Sequence, residues 1–136
     1  MRMNNNCLLV IEDDPRIASL ICHLAGEAGF NARSATGPDA ITQAFEHMQP
    51  DVIVLDVFMP DMDGLEVLQF LREQFSRARI VIISGSDSSS RRMTENLGKA
   101  LGFNIEANIS KPFQIPELRA ILERIRMALD GAREAL

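Results

Sequence analysis

Short apolar runs alternate with segments of helical periodicity along the chain, and this alternation constrains the fold more than any other feature of the sequence. Three runs, Cys7–Ile11, Val52–Leu55 and Ile80–Ile83, are almost continuously hydrophobic, which is typical of parallel strands covered by helices on both faces. Two weaker runs, Asn31–Ser34 and Ile105–Ile109, predict two more strands, and the mixed character of Asn31–Ser34 favours a sheet edge. The sequence therefore predicts a five-stranded parallel sheet between layers of helices.

Each apolar run is followed by a segment with helical spacing of apolar residues. The predicted helices are residues 15–28, 38–48, 65–74, 89–101 and a last one that begins at Pro116. Asp14 and Pro15 supply a cap and a first helical residue, and Gly29 ends the first helix. A strand followed by a helix, five times over, predicts an open, doubly wound α/β fold.

Length and composition set the class of protein. The 136 residues are 46% hydrophobic and 24% charged, which suits one soluble domain. No apolar run reaches the length of about 18 residues that a membrane span needs, and the N-terminus has no convincing secretory signal. We therefore expect a cytoplasmic domain at residues 6–130, with flexible ends at 1–5 and 131–136 and no membrane partner.

Charge and cysteine content exclude further classes. The net charge is −5, and the only basic run is the pair Arg91-Arg92, which argues against direct binding of nucleic acid because phosphate contacts need clustered Lys and Arg. Cys7 and Cys22 both lie in apolar patterns, so we interpret them as small buried residues and not as a disulfide.

Polar residues follow several of the predicted strands at the carboxyl edge of the sheet, which is where open parallel sheets bind ligands. These residues are Glu12, Asp13, Asp14, Asp56, Ser84 and Lys111. Crowded carboxylates need a cation, and hard oxygen donors suit Mg²⁺. An aspartate can form an aspartyl-phosphate, and a lysine and a hydroxyl can hold phosphoryl oxygens. The set predicts Mg²⁺-dependent phosphoryl chemistry based on positioning and charge neutralisation.

Some polar residues have simpler explanations. Asp14 stands directly before Pro15, so we interpret it as a helix cap in preference to a metal ligand. His23 and His47 lie within helical patterns away from the carboxyl edge, which indicates surface or half-buried side chains.

Four motifs resemble the receiver domain of two-component response regulators over about residues 6–130. They are VIEDDP (10–15), VIVLDVFMPDMDGLEVL (52–68), IVIIS (80–84) and ISKPF (109–113). The most specific part is Asp56 followed by Met59-Pro60 and Asp63-Gly64. The resemblance implies a flavodoxin-like (βα)5 receiver fold with strand order 2-1-3-4-5, similar to chemotaxis regulators.

The resemblance also implies a Mg²⁺ site. Asp13 and Asp56 would bind the ion directly, Glu12 would bind it through water, and the backbone carbonyl of Phe58 would be the third protein ligand.

The resemblance assigns the phosphoacceptor role to Asp56, the switch hydroxyl to Ser84 and the invariant lysine to Lys111, with an expected cis peptide bond before Pro112. The phosphoryl donor would be a sensor histidine kinase or a histidine phosphotransfer protein. The domain would catalyse only its own phosphorylation and dephosphorylation and would not be a metabolic enzyme.

Phosphorylation would switch the face formed by the fourth helix, the fifth strand and the fifth helix. That face would control an output domain or a partner protein, or a homodimer. In one respect the chain departs from the family pattern: Asn108 stands where a Tyr or Phe usually couples to the switch hydroxyl. Either the loop after the fourth strand and the fourth helix carry the signal, or the output face is specialised.

Three alternatives remain at this point. A flavin-binding module of similar topology would need a phosphate loop after the first strand, where Glu12 and Asp13 would repel phosphate. A phosphatase of the haloacid dehalogenase type would carry its nucleophile on the first strand. A degenerate receiver would act by protein contact, without phosphorylation.

Overall fold

The central element of the computed structural model is a parallel sheet with strand order β2-β1-β3-β4-β5. The structure describes residues 6–57, 64–74, 77–85 and 88–134. The strands are β1 (Cys7–Ile11), β2 (Asn31–Ala35), β3 (Val52–Asp56), β4 (Arg79–Ser84) and β5 (Asn104–Ser110). The helices are α1 (Pro15–Glu27), α2 (Pro38–His47), α3 (Gly64–Glu73), α4 (Ser88–Ala100) and α5 (Ile115–Glu134). The predicted five-stranded, doubly wound fold and its strand order are confirmed.

Alternating residues of the central strands form two separate cores. In β1, Leu8 and Val10 pack with α1 and α5 on one face of the sheet. Leu9 and Ile11 pack with α2 and α3 on the other face. All four side chains are fully buried, because a strand covered on both sides has no polar face.

The first helix begins and ends as its sequence signals indicate. Asp14 is the N-cap, and its side chain accepts a hydrogen bond of 2.9 Å from the Arg16 backbone N–H. The interpretation of Asp14 as a cap is therefore confirmed. After the helix, Gly29 has φ +99°, a conformation that a residue with a Cβ adopts only with strain.

The edge strand β5 carries a bulge. Ile80 pairs with Ile105 and Val81 pairs with Ala107, which leaves Glu106 as the extra residue. The Glu106 carboxylate is 2.7 Å from the Arg79 guanidinium. Arg124 on α5 donates a 2.9 Å hydrogen bond to the Glu106 backbone carbonyl. A helix side chain thus occupies a backbone acceptor on the exposed edge of the sheet.

The predicted domain limits at residues 6 and 130 fall near the two ends of the described structure. Helix α5 continues to Glu134, four residues past the predicted limit at 130. Residues 1–5 and 135–136 lie outside the described residues, so the flexible ends stay a prediction. None of the described helices is long and apolar enough to cross a membrane. Cys7 and Cys22 are free thiols, half-buried instead of fully buried.

Candidate functional site

The predicted site residues meet where the strand order reverses. Glu12 and Asp13 follow β1, Asp56 ends the adjacent strand β3, and Lys111 follows β5. In open α/β sheets such a reversal leaves a crevice outside the carboxyl ends of the strands. Residues up to 99 positions apart in the sequence therefore share one site because of the strand order.

Three carboxylates converge at this point. One oxygen each from Glu12, Asp13 and Asp56 lies within 4.8 Å of the other two. Glu12 and Asp56 are each only 2% exposed, whereas Asp13 is exposed. Two buried carboxylates beside a third are costly without positive charge nearby.

Lys111 supplies positive charge to the two buried carboxylates. Its ammonium nitrogen Nζ lies 2.5 Å from Glu12 Oε1 and 3.3 Å from Asp56 Oδ2. Burial of Lys111 opposes its charge, but the hydrogen bond to Glu12 and the charge of Asp56 outweigh burial, so the pKa of Lys111 is raised. The lysine therefore stays protonated and bridges Glu12 to Asp56.

Glu12 is the most perturbed acid of the site. Desolvation by burial, reinforced by the charge of Asp56 and only partly offset by Lys111, raises its pKa to about 6. The Asp14 backbone N–H donates a 3.0 Å hydrogen bond to Glu12 Oε2. The residue that caps α1 thus also holds the Glu12 carboxylate in place.

The donor set fits a small divalent cation. Its atoms are carboxylate oxygens, and one of the three carboxylates is exposed, so the ion would keep water ligands as Mg²⁺ prefers. A groove of about 470 Å³ between α1 and β2 reaches Glu12 and Asp13. Of the three carboxylates, only that of Asp13 is exposed to solvent.

Other predicted site residues are less completely described. Ser84 is the last residue of β4, in register with Ser110 at the end of β5, which puts it at the same edge of the sheet. Phe58, whose backbone carbonyl was the predicted third ligand, lies outside the described residues. The Lys111-Pro112 peptide bond is cis, as expected.

The histidines take no part in this site. His23 is 71% exposed and pairs with Glu27 on α1 at 3.7 Å. His47 is exposed at the end of α2. The prediction of surface or half-buried histidines is confirmed.

Sequence reasoning did not anticipate a polar network beside the site. Asn108 on β5 forms hydrogen bonds with Arg91 and Glu95 on α4. The sequence marks Asn108 as unusual for the family pattern, but no spacing rule connects it to Arg91 or Glu95.

Comparison with known proteins gives consistent matches. The family model "Response regulator receiver domain" matches residues 8–123. The probable transcriptional regulatory protein TcrX of Mycobacterium tuberculosis is 31% identical over 121 residues, which cover 86% of this chain and 50% of that protein. The transcriptional regulatory protein KdpE of Mycobacterium tuberculosis is 34% identical over 123 residues, which cover 90% of this chain and 50% of that protein.

A solved structure of a response regulator from Colwellia psychrerythraea matches with a TM-score of 0.74 at 30% identity. The match covers 88% of this chain and 95% of that one. The chain spans about half the length of the curated relatives that it matches.

Proposed function

The chain belongs to the response regulator receiver domain family, and from this premise we propose that it accepts a phosphoryl group on Asp56 in a Mg²⁺-dependent reaction. The observation that carries the proposal is the position of the buried Asp56 carboxylate. It lies beside two further carboxylates and 3.3 Å from the Lys111 ammonium. A nucleophile, a cation site and a fixed positive charge are the parts that transfer to an aspartate requires.

The proposed donor is the phosphohistidine of a sensor histidine kinase or a histidine phosphotransfer protein. An Asp56 carboxylate oxygen attacks the phosphorus as the phosphorus–nitrogen bond breaks, and the histidine nitrogen leaves with the electron pair. The product is an aspartyl-phosphate on this chain and a free histidine on the donor. The chain acts only on its own aspartate, as a signalling domain and not as a metabolic enzyme.

Asp13 and Asp56 would hold Mg²⁺ directly, with Glu12 acting through water and the Phe58 backbone carbonyl as a further ligand. When bound, the ion would neutralise charge on the phosphoryl oxygens during transfer. The buried Glu12 carboxylate contributes negative charge and, through its contact with Asp14, a fixed position.

Lys111 and Ser84 would hold the product. The phosphoryl group adds roughly −1.5 to −2 charge, so it competes with Glu12 for the Lys111 ammonium. The Ser84 hydroxyl would donate to a phosphoryl oxygen. Both residues lie at the carboxyl edge of the sheet, which makes them suitable for responding to a change of charge at Asp56.

We propose that phosphorylation switches the face formed by α4, β5 and α5 between two states. The relatives are about twice as long as this chain and are transcriptional regulators by name. The proposed recipient of the signal is therefore an output domain or a partner protein, or a second copy docked through this face.

The test is incubation with acetyl phosphate and Mg²⁺, followed by intact mass measurement. We expect an added phosphoryl mass in the wild-type chain and in Asp39→Ala, which removes an exposed carboxylate on α2, and none in Asp56→Ala or in EDTA. Absence of the adduct from the wild type, together with no beryllofluoride binding, would overturn the proposal and favour a degenerate receiver.

A further inference from the structure

Asn108 occupies a central place between the proposed phosphoryl site and α4. It lies on β5 in register with Ile82 of β4, three residues before Lys111, and its side chain is half-buried. The family pattern has an aromatic residue here, and the chain has no Tyr or Trp at all. An amide cannot act as a bulky aromatic rotamer, so its own contacts must define its role.

The Asn108 amide is satisfied on both sides by α4. Its Oδ1 accepts a 3.2 Å hydrogen bond from Arg91 Nη1. Its Nδ2 donates to Glu95 Oε1 at 2.8 Å and to the Arg91 backbone carbonyl at 3.3 Å. The orientation of the amide is fixed chemically, because a flipped amide would place its oxygen against two acceptors.

Asn108, Arg91 and Glu95 form a hydrogen-bonded network, and Lys99 holds Glu95 from the other side. Glu95 Oε2 also accepts a 2.7 Å hydrogen bond from Lys99, one turn further along α4. The hydrogen bonds of Glu95 to Lys99 and then to Asn108 lower its pKa, so Glu95 is ionised near neutral pH. Asn108 therefore interacts with a charged acceptor, which strengthens a hydrogen bond.

Arg91 is incompletely satisfied in this arrangement. Its Nε is buried and has no hydrogen-bond partner among the described residues. An unpaired buried donor is unfavourable, so an outward movement of Arg91 that exposed Nε to water would remove this cost. The unpaired Arg91 Nε thus favours opening of the network, whereas the hydrogen bonds of Asn108 favour the closed arrangement.

We propose that Asn108 is a positioning residue that latches α4 to β5 through Arg91 and Glu95, and that phosphoryl uptake at Asp56 opens this latch. The inference rests on the proposed function. Through this latch, phosphorylation at Asp56 would change the position of α4 without an aromatic side chain.

Both ends of the latch lead directly to the proposed phosphoryl site. Helix α4 begins four residues after Ser84, and Asn108 is three residues before Lys111. A phosphoryl group that draws the Ser84 hydroxyl and the Lys111 ammonium displaces the end of β5 relative to the start of α4. The hydrogen bonds of Asn108 with α4 must then lengthen or exchange partners.

The other end of α4 is held by close packing. Gly98 lets the helix lie directly on Ile105, since a Cβ added at Gly98 would be 2.7 Å from Ile105 Cδ1. On α4, Gly98 lies about two turns from Arg91 and less than one turn from Glu95. Opening of the latch therefore tilts the first turns of α4 about its packed end.

Coupling of this kind works in both directions. If phosphoryl binding opens the latch, then a variant with an open latch binds a phosphoryl mimic more tightly. Asn108→Asp is the sharpest variant, because it keeps the size of the side chain and the Arg91 contact but places a carboxylate against Glu95. Adding Glu95→Gln restores a donor opposite the new acceptor and closes the latch again.

The experiment measures binding of beryllofluoride with Mg²⁺ by calorimetry, and hydrogen exchange of the backbone amides of residues 91–99 in the free chain. In Asn108→Asp we expect binding roughly 5- to 20-fold tighter than wild type, with faster exchange in α4. The double variant Asn108→Asp/Glu95→Gln returns both values toward wild type. Asn96→Asp, the same change at an exposed position of α4, leaves both nearly unchanged.

The outcomes separate this inference from the proposed function. A wild-type chain that takes up neither beryllofluoride nor a phosphoryl group overturns the proposed function, and the coupling with it. A wild type that binds normally while Asn108→Asp binds equally or more weakly overturns the latch alone. A gain in affinity that Glu95→Gln does not reverse also overturns it, because the effect would then not pass through the Asn108–Glu95 contact.

Discussion

At the scale of single residues, Glu12 combines a charge with nearly complete burial. Its side chain has no exposed surface, and its charged form depends on Lys111 and on the Asp14 backbone N–H. These contacts do not compensate for desolvation, so its pKa is about 6 instead of the usual 4.5. Burial of the charged Glu12 carboxylate is therefore unfavourable in the free chain, and a bound cation would reduce this cost.

This tension predicts a dependence of stability on pH. The folded state holds a proton on Glu12 between pH 4.5 and about 6, where the unfolded state has released it. In EDTA, the Glu12 contribution to the free energy of unfolding therefore falls as pH rises through this window, by on the order of 2 kcal/mol. Urea unfolding followed by circular dichroism at several pH values measures this contribution.

The comparison is with Glu12→Gln, which cannot titrate. Other carboxylates add their own slopes to both curves, so the quantity of interest is the difference between the two proteins. That difference should change across the window in favour of the variant as pH rises. Parallel curves would contradict the prediction.

At the scale of elements, α4 and β5 are joined by two contacts of different kinds. The first is the Asn108 network, and the second is the close approach of Gly98 to Ile105. A glycine inside a helix is unfavourable by itself, so its presence in α4 indicates that space, and not helix propensity, limits this position.

Gly98→Ala tests whether space is limiting. We expect the variant to be less stable by about 1 kcal/mol, because overpacking at Ile105 exceeds the gain in helix propensity. Replacing Ile105 by Val removes the Cδ1 atom that a Cβ at Gly98 would meet. In the Ile105→Val background the same substitution should be neutral or stabilising, as measured by urea unfolding. Equal effects in the two backgrounds would show that the contact does not limit α4.

The elements themselves follow from local sequence, but their contacts do not. Continuous apolar runs predicted β1, β3 and β4, and Asp14 and Gly29 predicted the ends of α1. The bulge at Glu106 leaves no such signal, because it depends on the register between β4 and β5. The partners of Asn108 were missed for a related reason: which residues of α4 face β5 is decided by helix packing.

In the site, too, the positions of the residues were predictable from the sequence, but their contacts were not. Sequence position at strand ends predicted that Glu12, Asp13, Asp56 and Lys111 share one edge. It did not predict that Lys111 lies closer to Glu12 than to Asp56, because that choice depends on side-chain geometry within the edge.

At the scale of the whole molecule, the long helix α5 closes one of the two cores. Ile125 is fully buried and Leu129 packs at the margin of the same core. Asn6, directly before β1, donates a 3.4 Å hydrogen bond from its Nδ2 to Asp130 Oδ1. These contacts extend the packed structure beyond residue 123, where the family match ends.

Truncation tests where the domain ends. A chain that stops after Asp130 removes Gly131 and Ala132, which are exposed, and should lose less than about 1 kcal/mol of unfolding free energy. A chain that stops after Glu123 also loses the buried Ile125, and should be less stable by about 2–5 kcal/mol or more. Thermal and urea unfolding of the two truncated chains measure the difference. A large loss in the longer chain would move the boundary past 130.

The hydrogen bond from Arg124 to the Glu106 carbonyl affects how the molecule behaves at high concentration. An open sheet edge invites strands from other molecules to add to it, which is a common start of fibrous aggregation. At β5 the bulge interrupts the regular spacing of backbone groups, and the arginine already occupies one of the acceptors. The β5 edge therefore offers an irregular row of backbone partners to a strand from another molecule, which disfavours fusion of two sheets along it.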